Sequence, residues 1–157
     1  MPLRILVVDD SEVFRRCLRP MLESNRDWEI CGEAVDGAEG VEKHRLLVPD
    51  LVLMDFSMPR MTGLESATAI LKEFPKVPIV LLTLYLTKQL AQAARNVGIR
   101  ATISKANMNC LANDIAQVCT VLRFEARLLL IRTFCDVKTF YPGSSFTAFL
   151  SRWVATI

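Results

Sequence analysis

The sequence predicts an α/β fold in which a doubly wound, five-stranded parallel sheet is flanked by five helices and followed by a C-terminal appendage. Three short runs are apolar at every position, which is typical of parallel strands that helices cover on both sides. These runs are Ile5–Val8, Leu51–Met54 and Ile79–Leu82. Segments with helical periodicity separate them. Strand and helix alternate five times along the chain, as they do in doubly wound sheets.

Each strand and helix has its own local signal. The first apolar run extends back to Leu3, and two further strands are predicted at Trp28–Ala34 and Ala101–Ile103. Ser11 is a suitable N-cap for the first helix, and Asp36, with a glutamate three residues later, resembles a capping box for the second. Hydrophobic residues at helical spacing mark the five helices, over Val13–Leu22, Val41–Val48, Leu64–Phe74, Leu90–Val97 and Leu111–Leu122.

The composition is that of a folded globular protein. Of the 157 residues, 52% are hydrophobic and 23% are charged, with a formal net charge of +2. These values exclude a disordered or collagen-like chain and give little indication of a nucleic-acid partner. The five cysteines form no CxxC motif that would suggest a zinc or redox site. No apolar run is long enough for a membrane helix, so we expect a soluble, cytoplasmic protein without a membrane partner.

The composition changes near Leu122. Residues 123–157 contain seven of the twelve aromatic residues and continue no alternation of strand and helix. We therefore divide the chain into a domain at 1–122 and an aromatic-rich tail at 123–157. The apolar spacing of Phe146 to Trp153 predicts a short helix that packs on the domain, in the same chain or in a second copy of a dimer. The alternatives are a truncated linker or a non-native extension.

Reactive side chains follow four of the predicted strands. Asp9 and Asp10 follow the first strand, Asp55 the third, Thr83 the fourth and Lys105 the fifth. Because sites in open α/β sheets form outside the carboxyl ends of the strands, we expect these side chains to share one crevice. Three clustered carboxylates attract a cation, and oxygen ligands favour Mg²⁺. A carboxylate beside Mg²⁺ can attack phosphorus, and an ammonium and a hydroxyl can then hold the phosphoryl oxygens.

The same segments resemble the receiver domain of two-component response regulators over about residues 2–122. The resemblance rests on Ile5–Asp10, Pro49–Asp55, Met58–Glu65, Val80–Thr83 and Ser104–Lys105. The segment Cys31–Gly37 looks like the subfamily whose output is a helix-turn-helix DNA-binding domain. The resemblance implies a flavodoxin-like fold and a sensor histidine kinase, or a small phosphodonor, as the source of the phosphoryl group. It implies DNA as a partner only through an output domain, and no helix-turn-helix pattern follows residue 122.

Carried over by position, the resemblance assigns a role to each candidate residue. Asp55 would be the phosphoacceptor, Thr83 would donate a hydrogen bond to the phosphoryl group, and Lys105 would pair with it. The implied Mg²⁺ ligands are Asp9 through water, the carboxylates of Asp10 and Asp55, and the backbone carbonyl of Ser57. The protein would then be a switch that changes its interaction or dimerisation surface on phosphorylation. It would not be a turnover enzyme.

Two positions depart from the family pattern. Thr102 replaces the aromatic residue that usually couples to the threonine, and Ala106 replaces a common proline. Thr102 supports an alternative function, a receiver-like module that binds partners or dimerises without phosphorylation. A phosphatase with an aspartate nucleophile on the first strand is poorly supported, because Ser11 and Glu12 stand where its second aspartate would be.

Two further features are interpreted as structural. His44 is the only histidine, and its place on the row from Val41 to Val48 predicts a packing residue rather than a phosphotransfer site. The arginines of the first helix, Arg15, Arg16 and Arg19, are predicted to form a solvated face.

Overall fold

The computed structural model describes residues 1–106 and 111–120, and a five-stranded sheet forms their core. The strands are β1 (Leu3–Val8), β2 (Trp28–Ala34), β3 (Leu51–Asp55), β4 (Ile79–Thr83) and β5 (Ala101–Ser104). They lie in the order β2-β1-β3-β4-β5, and every neighbouring pair is parallel. The predicted doubly wound parallel sheet is therefore confirmed, and three strands extend one residue further than predicted.

Five helices connect and flank the strands. They are α1 (Glu12–Glu23), α2 (Gly37–Leu47), α3 (Gly63–Glu73), α4 (Lys88–Val97) and α5, of which residues 111–120 are described. The compact unit that contains the sheet spans Met1–Cys119. The predicted domain boundary at Leu122, the tail at 123–157 and its helix near Phe146 lie outside the described residues.

Burial follows the pattern that the apolar runs indicate. Every residue of β3 and β4 is buried, and so are the last four residues of β1. Helices on both sides exclude water from these central strands, which explains why their sequences lack the alternation of a half-exposed sheet.

The predicted helix caps also form. The Ser11 hydroxyl accepts a hydrogen bond from the amide of Phe14 at 3.3 Å, and the Asp36 carboxylate accepts one from the amide of Glu39 at 2.9 Å. Glu39 in turn accepts from the Val35 amide at 2.7 Å, one residue before the N-cap. These bonds satisfy donors that the first helical turn leaves unpaired, and they fix where each helix leaves the sheet.

The strand order brings the predicted site residues to one edge. The chain winds from β1 to β2 in one direction and from β2 back across β1 to β3 in the other, so a crevice opens between the ends of β1 and β3. The register pairs Val8 with Met54, Asp55 with Leu82, and Thr83 with Ser104. Residues that end or follow these strands are therefore level with one another at the carboxyl edge.

His44 lies near the opposite edge of the sheet, in the last turns of α2. It is 1% exposed, and its ring centroid lies 4.6 Å from that of Phe74. Neither imidazole nitrogen has a hydrogen-bond partner within the part of the chain that is described. The prediction of a packing role is confirmed, and the burial is deeper than a place on a helical row indicates.

Candidate functional site

Three carboxylates meet in the crevice between β1 and β3. Asp9, Asp10 and Asp55 each present a carboxylate oxygen, and these atoms all lie within 4.8 Å of one another. Asp9 and Asp55 are 1% and 4% exposed, whereas Asp10 faces solvent. The loops after two adjacent parallel strands thus produce a concentrated negative charge that is open on one side.

The ammonium of Lys105 lies between the two buried carboxylates. Its Nζ is 2.5 Å from Asp9 Oδ2 and 2.6 Å from Asp55 Oδ1, and the side chain is 8% exposed. The backbone amide of Lys105 donates to the Thr83 carbonyl at 2.7 Å, which extends the β4–β5 ladder to the residue that carries the charge. The buried ammonium thus has a carboxylate oxygen of each buried aspartate within ion-pair distance.

Burial controls the protonation of Asp9. Desolvation raises the pKa of the Asp9 carboxyl above its ordinary value, and the negative charge of Asp55 adds to that effect. The Lys105 ammonium and the Ser11 amide, which donates to Asp9 Oδ1 at 2.9 Å, oppose it. Burial therefore disfavours the charged form of Asp9, whereas positive charge beside it favours that form.

The carboxylate of Asp55 is oriented by the loop that follows β3. Asp55 Oδ2 accepts a hydrogen bond from the Ser57 amide at 3.0 Å, and the Gly63 amide donates to the Phe56 carbonyl at 3.0 Å. A Cβ atom at Gly63 would lie 2.1 Å from the carbonyl oxygen of Asp55. Only glycine allows the start of α3 to approach the end of β3 this closely, so Gly63 sets the position of Asp55.

Thr83 ends β4 and is 5% exposed. Its hydroxyl oxygen accepts a hydrogen bond from the Tyr85 amide at 3.2 Å. Large apolar side chains that follow it, Leu84, Tyr85 and Leu86, are exposed. A buried hydroxyl therefore stands directly before an exposed apolar loop.

One prediction about the first helix is wrong. The Arg15 side chain is only 10% exposed, because its Nε pairs with Glu33 Oε2 at 2.9 Å and its Nη1 donates to the Asp9 carbonyl at 2.5 Å. Arg16 is solvated as predicted, with 78% of its side chain exposed, and Arg19 reaches Glu23 and Glu33. Side chains three or four residues apart share a helix face, so Arg15 and Arg19 both face β2.

Sequence reasoning also missed Phe14 as part of the site. Its ring centroid lies 4.1 Å from Lys105 Nζ. The available signal was position, since Phe14 lies in the first turn of the helix that begins directly after the acidic end of β1. The structure brings the predicted Asp9, Asp10, Asp55 and Lys105 together, and the ring contacts this group at Lys105.

The donor set fits a small, hard divalent cation. All three acidic groups are oxygen donors, and the exposed side of Asp10 leaves room for the waters that Mg²⁺ retains. Lys105 occupies one oxygen of Asp9 and one of Asp55, which leaves the other carboxylate oxygens with only a backbone amide each. Sulfur and nitrogen ligands, which softer metals prefer, are absent from this cluster.

A β2-β1-β3-β4-β5 sheet with acidic residues at its switch point and a lysine after its last strand has the architecture of a receiver. The chain belongs to the response regulator receiver domain family, whose family model matches residues 5–116. It is a receiver domain of two-component signalling, as the resemblance implies.

Individual relatives agree with this assignment. The chain is 34% identical over 117 residues to the response regulator protein VraR of Staphylococcus saprophyticus, covering 74% of this chain and 54% of that protein. It is 42% identical over 91 residues to a protein-glutamate methylesterase/protein-glutamine glutaminase of Pyrococcus abyssi, covering 58% and 24%. The solved response regulator domain of Thermotoga maritima CheB superposes with a TM-score of 0.70 at 29% identity, covering 74% and 92%. The chain thus spans between a quarter and about half of these curated relatives.

Within residues 1–106 and 111–120, no helix combines the length and the apolar character needed to cross a bilayer.

Proposed function

We propose that this chain is a phosphorylation-dependent switch in which Asp55 accepts a phosphoryl group from a sensor histidine kinase. The observation that carries the proposal is the Lys105 ammonium, held 2.6 Å from Asp55 Oδ1 in a crevice that two further carboxylates share. A buried carboxylate with an adjacent cation is suited to attack phosphorus, because the cation stabilises the charge that arrives with the phosphoryl oxygens.

The chemistry needs few groups. A carboxylate oxygen of Asp55 forms a bond to phosphorus while the bond from phosphorus to the donor's imidazole nitrogen breaks, and the electron pair leaves with that nitrogen. Lys105 then pairs with a phosphoryl oxygen, and the Thr83 hydroxyl donates a hydrogen bond to another. Asp55 is consumed once in each event, so the chain acts as a phosphoacceptor and not as a turnover enzyme.

The acidic crevice supports Mg²⁺ as the cofactor. Asp10, Asp55 and the Ser57 carbonyl would hold the ion directly, and Asp9 would hold it through water. When bound, Mg²⁺ neutralises charge on the phosphoryl oxygens. The carboxylate oxygens that Lys105 does not contact support this assignment, because Asp9 Oδ1 and Asp55 Oδ2 each accept only a backbone amide among the described residues.

The similarity to VraR supports a role in transcription regulation through a longer protein. That relative is named as a response regulator, and this chain covers 54% of it. We propose that phosphorylation changes an interaction or homodimerisation surface, and that contact with DNA requires a helix-turn-helix output domain.

Thr102 favours a second candidate, a receiver that binds partners or dimerises without phosphorylation. It is half-buried on β5, where it pairs in register with Leu81, and it offers no large ring to change position. Comparing oligomeric state with and without a beryllofluoride phosphate mimic separates the two candidates. A change supports the switch, and an unchanged dimer supports the second candidate. The variant Thr102→Tyr should increase the response of the switch.

The site assignment is tested by phosphorylating the full chain with acetyl phosphate and Mg²⁺ and measuring intact mass. The wild type should gain one acid-labile phosphoryl group, and Asp55→Asn should gain none, because the amide keeps the shape but is not a nucleophile. Asp50→Asn, which changes an aspartate at the opposite edge of the sheet, is the matched control and should react normally. Stoichiometric labelling of the Asp55→Asn variant would refute the assignment.

A further inference from the structure

The ammonium of Lys105 has a third neighbour besides its two carboxylates. Its Nζ lies 4.1 Å from the centroid of the Phe14 ring, well inside the distance of about 6 Å at which a cation is attracted to a ring face. Asp9 and Asp55 each accept from the ammonium at 2.5 and 2.6 Å. The aromatic ring thus covers a side of the cation that the carboxylates leave open.

The first turn of α1 fixes the place of this ring. The Phe14 amide donates to the Ser11 hydroxyl at 3.3 Å, and the Ser11 amide donates to Asp9 Oδ1 at 2.9 Å. One short segment therefore orients both an anionic and an aromatic partner of Lys105. The neighbouring Val13 is 73% exposed and belongs to a different face of the helix.

We propose that Phe14 is a positioning residue that holds the Lys105 ammonium over Asp55 by a cation–π contact. The inference rests on the proposed function, in which Lys105 must stay beside Asp55 while the phosphoryl group arrives. A lysine side chain is a flexible four-carbon stem with many rotamers, so it needs contacts that keep it in place.

The ring differs from the carboxylates in one useful respect. A hard cation such as Mg²⁺ takes oxygen ligands and does not bind an aromatic face. A metal ion in the crevice would draw on the same carboxylates as Lys105, but it would not compete for Phe14. The ring keeps its attraction for the ammonium at the stage when the carboxylate oxygens are engaged elsewhere.

The first experiment measures the rate of Asp55 phosphorylation by acetyl phosphate at saturating Mg²⁺. Phe14→Leu keeps an apolar side chain but removes the ring, and its rate should fall about three- to tenfold. Phe14→Trp and Phe14→Tyr keep a ring and should retain most of the rate. Val13→Ala, one residue away, should match the wild type. Wild-type rates in Phe14→Leu would overturn the inference and leave the proposed function intact.

A double-mutant cycle separates positioning from general packing. In a Lys105→Met background the ammonium is gone and the stem remains, so Phe14→Leu should cause no further loss of rate. The same fold-loss in both backgrounds would show that Phe14 only packs, and would overturn the inference.

A third measurement does not depend on phosphorylation. The ring current of Phe14 should shift the Lys105 Hε protons upfield in the NMR spectrum of the unphosphorylated protein, and Phe14→Leu should abolish that shift. An unshifted Lys105 in the wild type would overturn the contact itself. A shifted Lys105 in a protein that takes no phosphoryl group would instead refute the proposed function, and with it the positioning role, while the contact stood.

Discussion

Two regions of the molecule bury titratable side chains in different ways. At the carboxyl ends of the strands, the buried carboxylates of Asp9 and Asp55 contact the Lys105 ammonium. Near the amino ends, the buried imidazole of His44 has no hydrogen-bond partner among the described residues. His44 borders a surface pocket of about 460 Å³ formed with residues of the α2–β3 and α3–β4 turns. Burial raises the pKa of Asp9 and lowers that of His44, since in each case it disfavours the charged form.

The comparison shows which of the two buried groups, Asp9 or His44, has the surroundings of a reactive site. Asp9 has polar partners on every side: Lys105 and the Ser11 amide contact its carboxylate, and Arg15 Nη1 donates to its backbone carbonyl. His44 packs against Phe74, and neither of its ring nitrogens has a hydrogen-bond partner in the described part of the chain, so burial outweighs the charge of Glu73 and lowers its pKa. Buried charge with built-in partners therefore marks the site more reliably than the presence of a histidine does.

The largest effect is expected where the backbone itself is constrained. Gly63→Ala would place a Cβ atom 2.1 Å from the Asp55 carbonyl oxygen, and backbone cannot yield as a flexible side chain does. We expect a loss of at least about 2 kcal/mol in the free energy of unfolding, together with a slower rate of phosphorylation. Urea unfolding and the acetyl phosphate assay measure the two effects.

Gly98→Ala is the control at the opposite edge. Gly98 has a φ of 101°, but a Cβ there would meet only Leu71 Cδ1 at an ordinary 3.6 Å. The backbone strain should cost about 1–2 kcal/mol and leave the phosphorylation rate of the folded protein unchanged. Equal phosphorylation rates in both glycine variants would contradict the role of Gly63 in placing Asp55.

The sequence predicted the fold almost completely, because the central strands are apolar on both faces and the loops carry clear caps. The residues that follow those strands predicted the Asp9, Asp55 and Lys105 cluster, since parallel strands bring their carboxyl ends to one edge. The contributions of Arg15 and Phe14 were missed because they depend on where α1 lies against the sheet. A hydrophobic row does not reveal which of its side chains touches a distant lysine.

The next effect concerns the metal. If Mg²⁺ binds the folded acidic crevice only, it should raise the free energy of unfolding by about 2.7 kcal/mol at a hundred times its Kd. Asp10→Ala removes the exposed carboxylate of the cluster and should abolish most of that increase. Glu42→Ala removes an exposed carboxylate on α2 and should leave it intact. The urea unfolding midpoints of the three proteins, with and without Mg²⁺, measure these effects. A wild-type midpoint that does not change in millimolar Mg²⁺ would exclude a Mg²⁺ site in the acidic crevice.

A smaller, pH-dependent effect is expected at His44. The unfolded chain takes up a proton near the ordinary pKa of 6.5, whereas burial lowers the pKa in the folded state. Its contribution to stability is thus complete above pH 6.5 and is lost as the pH falls, at no more than about 1.4 kcal/mol per pH unit. His44→Phe should flatten the stability profile between pH 7 and pH 5. Nearby Glu73 should not obscure this, because Arg45 lowers its pKa. Parallel profiles for the two proteins would show that His44 does not titrate on unfolding.

The smallest effects distinguish two adjacent arginines on α1. Arg16 pairs with Glu12 in solvent, with 78% and 65% of the side chains exposed, so Arg16→Ala should change the free energy of unfolding by no more than about 0.5 kcal/mol. Arg15→Ala should cost about 1–2 kcal/mol, because it leaves the Asp9 carbonyl and part of Glu33 without a donor. Arg15→Ala should also reduce the stabilisation by Mg²⁺, since the hydrogen bond from Arg15 Nη1 to the Asp9 carbonyl is lost. Equal losses of unfolding free energy in the two variants would show that Arg15 behaves as a solvated residue and does not support the acidic crevice.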